Sequence, residues 1–293
     1  MTTAFVFPGQ GSQSVGMGKD FAEKLLEQAN QILGFDLKKI VLEGPDEELK
    51  RTEIQQPAIL TVSLAALDEL RTRNIKHGTQ LGAVAGHSLG EYSALVAAGV
   101  LSFADAVKIV NLRGKFMQEA VPAGEGAMAA LLGGDRQAII NICKEVGGVW
   151  PANFNSPGQI VISGKKSSVE AAGEKLKAAG VKKVIPLAVS APFHCPLMQP
   201  AADKLAVELD KIKFNDANIP VYANVTASPV KSGAEIKQLL IKQVTGSVLW
   251  EDSIKKMIAD GIIRFVEVGP GKVLTGLIKK IDPNVEVKSY VES

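Results

Sequence analysis

The chain has 293 residues, 46% of them hydrophobic, enough to bury a sizeable core in one large domain or two modest ones. Its 33 basic and 31 acidic residues nearly cancel, so bulk electrostatics demand neither a nucleic-acid partner nor a membrane surface. Two cysteines, Cys143 and Cys195, give no disulfide framework and fit a reducing compartment.

Taken in chain order, Ala4–Phe7 reads as a first strand, with neither the basic region nor the long apolar run of a signal peptide. No stretch approaches the roughly 18 apolar residues of a membrane span, so a soluble cytoplasmic protein is expected. The strand turns at Pro8-Gly9 into Gln10-Gly11-Ser12-Gln13. This loop matches neither the dinucleotide fingerprint nor the Walker pattern, which argues against nucleotide phosphate binding. It is either a plain turn or a loop that offers the Gln10 N–H to an anion. Helices are predicted over 21–33 and 58–71, and His77 falls in a polar stretch that reads as an exposed loop.

Leu81–Ala85 is long enough for a buried strand, and Glu91–Ala98 is a good helix former. Between them stands Gly86-His87-Ser88-Leu89-Gly90, a Gly-x-Ser-x-Gly at a strand–helix junction. This is the pattern of a nucleophile elbow, whose sharp turn lifts the serine oxygen above the sheet. A Cβ at either glycine is expected to collide with the neighbouring strand or helix. The Leu89 N–H at the helix start would face an oxyanion formed on Ser88. The pentapeptide alone also fits a glycine-rich turn with a spare serine.

Ser102-Phe103-Ala104-Asp105 is a capping sequence that opens a helix to about residue 120. Residues 106, 110, 113 and 117 share one face of it by the 3.6-residue period, and three are apolar. The fourth is Arg113, whose guanidinium would be buried in that stripe at a cost of several kcal/mol if unpaired. Its partner is either an internal Asp or Glu, or a carboxylate that arrives with a substrate.

After the glycine-rich break at 122–126 comes a strand at 127–132, a helix at 136–146 and a strand at 149–153. A turn at 155–158 leads to a strand at 159–163, a helix at 167–179 and a strand at 183–189. The order β-α-β-β-α-β is the ferredoxin-like split unit, and it predicts a small subdomain over 125–189 inserted into a larger one formed by 1–124 and 190–293. The larger part alternates strands and helices, as a mostly parallel α/β sheet does. It resumes with a helix at 198–209, a strand at 220–224, a helix at 234–245, a strand at 262–268 and a helix at 271–281.

Ser88 needs a base, and only three histidines exist. His87, next to the serine on the elbow, should point away from it. His194, in Ala191-Pro192-Phe193-His194-Cys195-Pro196, is braced between prolines where the inserted unit ends, and elimination favours it as the base. No acid of the hydrolase triad stands out before it, so a dyad whose imidazole is oriented by a carbonyl is favoured over an ordinary esterase. Cys195 lacks any evident activation and reads as packing, and no His/Cys/Asp cluster has metal-ligand spacing.

Six motifs in order resemble the malonyl-CoA:acyl carrier protein transacylases of bacterial type II fatty acid synthesis. They are Phe7–Gln13, Gly86–Tyr92, Arg113–Met117, Asn155–Gln159, His194-Cys195 and Val268–Lys272. The resemblance covers nearly the whole chain. It implies an α/β-hydrolase-like large subdomain with the inserted ferredoxin-like one, and ping-pong transfer of malonyl from malonyl-CoA to the phosphopantetheine thiol of acyl carrier protein.

Carried onto this sequence, it makes Ser88 the acylated nucleophile, His194 its base, Gln10 and Leu89 the oxyanion donors, and Arg113 the holder of the malonyl carboxylate. Asn155 matches an active-site asparagine. Gln243 falls where the family supplies the carbonyl that orients the histidine. Phe193 resembles a phenylalanine of malonyl-selective relatives, whose bulk would disfavour a branched α-carbon. No resident cofactor or metal is implied, and a monomer is expected. The alternatives are a thioesterase or carboxylesterase on the same elbow, extender loading for a polyketide pathway, and a silent scaffold.

Overall fold

The computed structural model describes residues 2–74, 80–189 and 191–290. His77 lies outside the described residues. The large part contains β1 (Thr2–Phe7), α1 (Glu23–Leu33), α2 (Leu37–Glu43), α3 (Asp46–Leu49), α4 (Thr52–Asn74), β2 (Gln80–Gly86), α5 (Gly90–Ala97) and α6 (Phe103–Glu119). The small part follows as β3 (Gly126–Leu132), α7 (Arg136–Val146), β4 (Val149–Ser156), β5 (Gln159–Lys165), α8 (Lys166–Ala178) and β6 (Lys183–Pro186). The chain then returns through α9 (Gln199–Leu209), β7 (Val221–Ala223), β8 (Ser228–Val230), α10 (Gly233–Thr245), α11 (Trp250–Ala259), β9 (Arg264–Glu267), α12 (Val273–Ile281) and β10 (Glu286–Ser289).

The large sheet has the order β10-β9-β1-β2-β7-β8. All its pairings are parallel except the β7–β8 hairpin. Val84 and Phe7 contribute to a core with α4, α5 and α6. Ala4, Val6, Ala83, Ala85 and Tyr222 contribute to a second core with Trp250 and Ile254 of α11 and Leu274, Leu277 and Ile278 of α12. The sheet is thus covered on both faces, as a parallel sheet must be to keep its apolar strands from water. The small sheet is antiparallel with the order β4-β5-β3-β6, and α7 and α8 bury Ile139, Cys143, Ala172 and Leu176 against it. Among the described residues, no helix is long and apolar enough to cross a membrane.

Three differences from the sequence reading have physical causes. Helix α4 starts at Thr52 rather than 58 and carries Pro57 inside it. A proline leaves the carbonyl four residues back without its helical donor. That carbonyl, Glu53 O, is taken by Asn111 Nδ2 of α6 at 2.7 Å, so the helix continues through the proline. Strand β4 runs on to Ser156, beyond the predicted end at 153, which places Asn155 in a strand and leaves the turn to Pro157-Gly158. Helices α2, α3 and α11 and strands β8 and β10 are absent from the sequence reading. Helix α11 has no side-chain cap at Leu249, and the short edge strand β10 has no apolar run to announce it.

Candidate active site

The elbow is built by close approach of backbones. Strand β2 ends at Gly86 and α5 begins at Gly90, with Ser88 between them at a φ of 51°. A Cβ on Gly86 would lie 1.9 Å from Gly90 C, and one on Gly90 would lie 2.1 Å from Phe7 O of β1. Both glycines are therefore required by space, as expected from the sequence. The His87 N–H donates to Phe7 O at 3.0 Å, which ties the elbow to the end of β1. The following loop presses just as closely, because a Cβ on Gly9 would sit 2.4 Å from His87 O. Gln10 is thereby held beside the elbow. Among the described residues, the N–H groups of Gln10 and Leu89 donate to no other protein group.

Ser88 Oγ lies 2.7 Å from His194 Nε2, and His194 Nδ1 lies 2.9 Å from the Gln243 backbone carbonyl. A carbonyl can only accept, so Nδ1 carries the ring proton and Nε2 is left to accept from the serine hydroxyl. His194 is buried and sits at a φ of 58°. Burial, with the Arg113 guanidinium nearby, pushes its pKa down from 6.5 to about 3. The imidazole is accordingly neutral, the form a base needs. Such a left-handed backbone is uncommon for a non-glycine residue. Ser88 and His194, which face each other, both adopt it.

Arg113 is fully buried, as the helix periodicity of α6 implies. Its Nη1 donates to Gln56 Oε1 at 2.7 Å, and its Nη2 to Ser88 Oγ at 3.1 Å and Gln243 Oε1 at 3.0 Å. The Tyr92 ring centroid lies 5.5 Å from the guanidinium carbon. Burial lowers the Arg113 pKa, yet a guanidinium remains charged. Among the described residues, no Asp or Glu is hydrogen-bonded to it. Its acceptors are neutral amide oxygens and the serine, so the positive charge is desolvated and has no carboxylate directly on it.

The structure brings Ser88, His194, Arg113 and Gln243 into one hydrogen-bonded cluster. Asn155 stands beside it, reaching from β4 of the small part: His87 Nε2 donates to Asn155 Oδ1 at 2.8 Å. The His87 ring also packs 5.7 Å from Trp250, and burial lowers its pKa. It therefore braces the elbow and stays off Ser88. Phe193 is buried against the main core directly before His194. Gln10 turns its side chain to Gln55 at 2.6 Å, leaving its backbone N–H as its means of contacting an anion. Cys195 is buried with its thiol donating to Pro192 O at 3.1 Å, and burial pushes its pKa up, which fits a packing role.

Sequence reasoning missed three residues. Gln56 holds the arginine, and the signal for it was a Gln55-Gln56 pair directly before the apolar run Pro57-Ala58-Ile59-Leu60. Asn224, just after β7, accepts the Ser88 N–H at 2.7 Å and donates to Gly86 O at 2.7 Å, locking the elbow from below. Glu91 is buried in the first turn of α5, where its Oε2 accepts from Gln243 Nε2 at 2.8 Å and from the Asn224 N–H at 3.1 Å. For these last two, only the position of one residue next to another in space could have spoken.

This is the equipment for acyl transfer: a hydroxyl with an oriented neutral base, a free N–H at a helix start (Leu89) and another in the loop after β1 (Gln10), and a buried cation beside the nucleophile. Comparison with known proteins agrees with that chemistry. A family model described as an acyl transferase domain matches residues 4–290. The malonyl CoA-acyl carrier protein transacylase of Escherichia coli K12 is 52% identical over 287 residues, covering 95% of this chain and 92% of the relative. An acyl carrier protein S-malonyltransferase structure from Vibrio cholerae superimposes with a TM-score of 0.94 at 46% identity, covering 98% of this chain and 96% of the other. A malonyl-transacylase solved in complex with a type II polyketide acyl-carrier protein gives a TM-score of 0.94 at 46% identity, covering 99% and 95%.

Proposed function

This chain belongs to the acyl transferase domain family, and on that premise we propose that it moves a malonyl group from malonyl-CoA to the phosphopantetheine thiol of acyl carrier protein. In the first half-reaction Ser88 Oγ attacks the thioester carbonyl while its proton passes to His194 Nε2. The Gln10 and Leu89 N–H groups receive the oxyanion, an interaction whose loss costs roughly 2.7–4 kcal/mol per donor. The tetrahedral intermediate then breaks its C–S bond, and the departing CoA sulfur takes the proton back from the imidazole. In the second half the carrier-protein thiol gives its proton to His194 and attacks the malonyl-serine ester, and as the C–O bond breaks Ser88 Oγ takes that proton back from the imidazole.

Arg113 reads the substrate's free carboxylate. The guanidinium has no water-accessible surface, so a carboxylate that joins it takes the place of a neutral acceptor. An acyl group without a carboxylate leaves the cation with amides alone, and the difference is discrimination. Phe193, whose bulk lies directly before the base, is the residue we assign to disfavouring a branched α-carbon. Every step uses side chains and backbone groups of the chain itself, with malonyl-CoA and phosphopantetheine as substrates. We place the enzyme in the cytoplasm, a setting that suits its two free thiols.

The observation that carries the proposal is Arg113 Nη2 bonded to the same oxygen that His194 deprotonates. Transfer is separated from hydrolysis by the lifetime of the malonyl-serine ester. With malonyl-CoA alone the ester should persist, and pantetheine thiol should discharge it. Rapid discharge by water would instead make the protein a thioesterase. Extender supply to fatty acid synthesis is the assigned role. Similarity to the polyketide-associated transacylase supports a polyketide carrier protein as a second acceptor.

A further inference from the structure

Two buried groups of opposite charge, Arg113 and Glu91, share a single side chain, the Gln243 amide. Gln243 Oε1 accepts from Arg113 Nη2 at 3.0 Å, while Gln243 Nε2 donates to Glu91 Oε2 at 2.8 Å and to Ser88 O at 3.0 Å. A primary amide presents an acceptor at one end and donors at the other, so fixing one end fixes both. Turned over, the same amide would aim N–H groups at the guanidinium, donor against donor, where both side chains are fully buried. Ser88 O divides its lone pairs between this amide and the Glu91 N–H at 3.1 Å, and Asn224 Oδ1 stands 3.5 Å from Gln243 Nε2, so Glu91 Oε2 is the nearest of the three acceptors that hold the amide. The backbone carbonyl of the same Gln243 orients His194.

We infer that Glu91 is a positioning residue for carboxylate selection: by holding the Gln243 amide in one orientation it keeps the acceptor face toward Arg113 and the guanidinium fork aimed at Ser88. Its second bond, from the Asn224 N–H at 3.1 Å, joins this control to the residue that accepts the Ser88 N–H. Both donors converge on one oxygen, Oε2, so acceptance at that point is what the site requires. Burial pushes the Glu91 pKa up to about 7, with the Gln243 and Asn224 bonds opposing, and the carboxyl accepts through this oxygen in either protonation state.

This inference rests on the reading of Arg113 as the carboxylate reader, and its test separates the two. Single-turnover acylation rates of Ser88 by malonyl-CoA and acetyl-CoA are measured on the wild type, E91M and E91Q, with near-ultraviolet circular dichroism to confirm folding. Methionine keeps the length and removes the acceptor, whereas glutamine can place its Oε1 where Oε2 stands. The malonyl-to-acetyl ratio is expected to fall about tenfold in E91M and to stay within about twofold of wild type in E91Q. Should E91M fail to fold, Q243M removes the same amide and is expected to give the same fall. An unchanged ratio in folded E91M, or in Q243M, overturns the positioning role, and so does an E91Q as impaired as E91M. A wild type with no malonyl preference would instead overturn the reading of Arg113 itself.

Discussion

The elbow region and the small sheet solve opposite problems with the same set of residue types. In the small sheet β4 and β5 each bury a run of five residues, and the core that includes Leu131, Ile160, Ile162 and Leu176 is made of apolar side chains. Its charged contacts, Arg136 with Asp252 of α11, Lys175 with Glu145 and Lys177 with Glu174, lie at the rim. Around the elbow, by contrast, Arg113, Glu91, His194, Gln56, Gln243 and Asn224 are all buried, and two non-glycine residues adopt positive φ. Burying such groups lowers stability unless every polar atom is matched. The lesson is that the small part is built for stability and contributes one polar arm, Asn155, whereas the large part holds the strain and charge that make chemistry.

That contrast can be broken first at the nucleophile. Ser88→Ala should lower malonyl transfer by about 10⁴-fold or more, as loss of a nucleophile acting in concert with its base does, while the fold is kept. Steady-state transfer to carrier protein, with a thermal melt alongside, checks both. Arg113→Ala is expected to reduce acylation by malonyl-CoA by roughly 10²–10³-fold, the scale of a broken buried charge interaction, and to leave acetyl-CoA nearly as slow as before. Competition between the two thioesters reads it. On the other side, Arg136→Ala removes two hydrogen bonds to Asp252 and a cation–π contact 4.0 Å from the Phe154 centroid. Because the Arg136 side chain is more than a third exposed, we expect a loss of only about 1 kcal/mol in denaturant melts and an unaltered malonyl-to-acetyl ratio.

The smallest expected effect is one of pH. With the His194 pKa near 3 in place of 6.5, the acylation rate should stay level as pH falls through 6.5. The unfolded chain takes up this proton near 6.5 and the folded one near 3, so His194 contributes stability above 6.5 that is lost as pH drops toward 3. Stopped-flow acylation across that window should show a flat rate; in paired melts the Glu91 carboxyl, raised to about 7, takes up its proton first in the folded state and offsets the His194 loss until pH falls below about 4.5. A rate that halves at pH 6.5 would contradict the buried neutral base.

The two regions also differed in how far they could be read from sequence. The small sheet follows from pattern: helix α7 at 136–146 and the βαββαβ order come from short strand-like and helix-like segments punctuated by a glycine-rich break and turn residues, which are local signals. In the large part, the elbow and the buried arginine were legible because each breaks a local rule, one through its paired glycines and one through a charge in an apolar stripe. What could not be read is what depends on distant residues meeting. Asn224 meets Ser88 across 136 positions and Gln56 meets Arg113 across 57. Pro57 hid the true start of α4 because Asn111, which replaces the lost donor, comes from another helix. The carbonyl that orients His194 was assigned through family resemblance, since any of many carbonyls could have served.

The most direct test of the account is to incubate the protein with malonyl-CoA alone, digest it and map the acyl group by mass spectrometry. A single malonyl ester on the peptide containing Ser88, stable in buffer and discharged by pantetheine, is the predicted result. A malonyl group found elsewhere, or none at all on folded protein, would contradict the claim that Ser88, His194 and Arg113 act on one diacid unit.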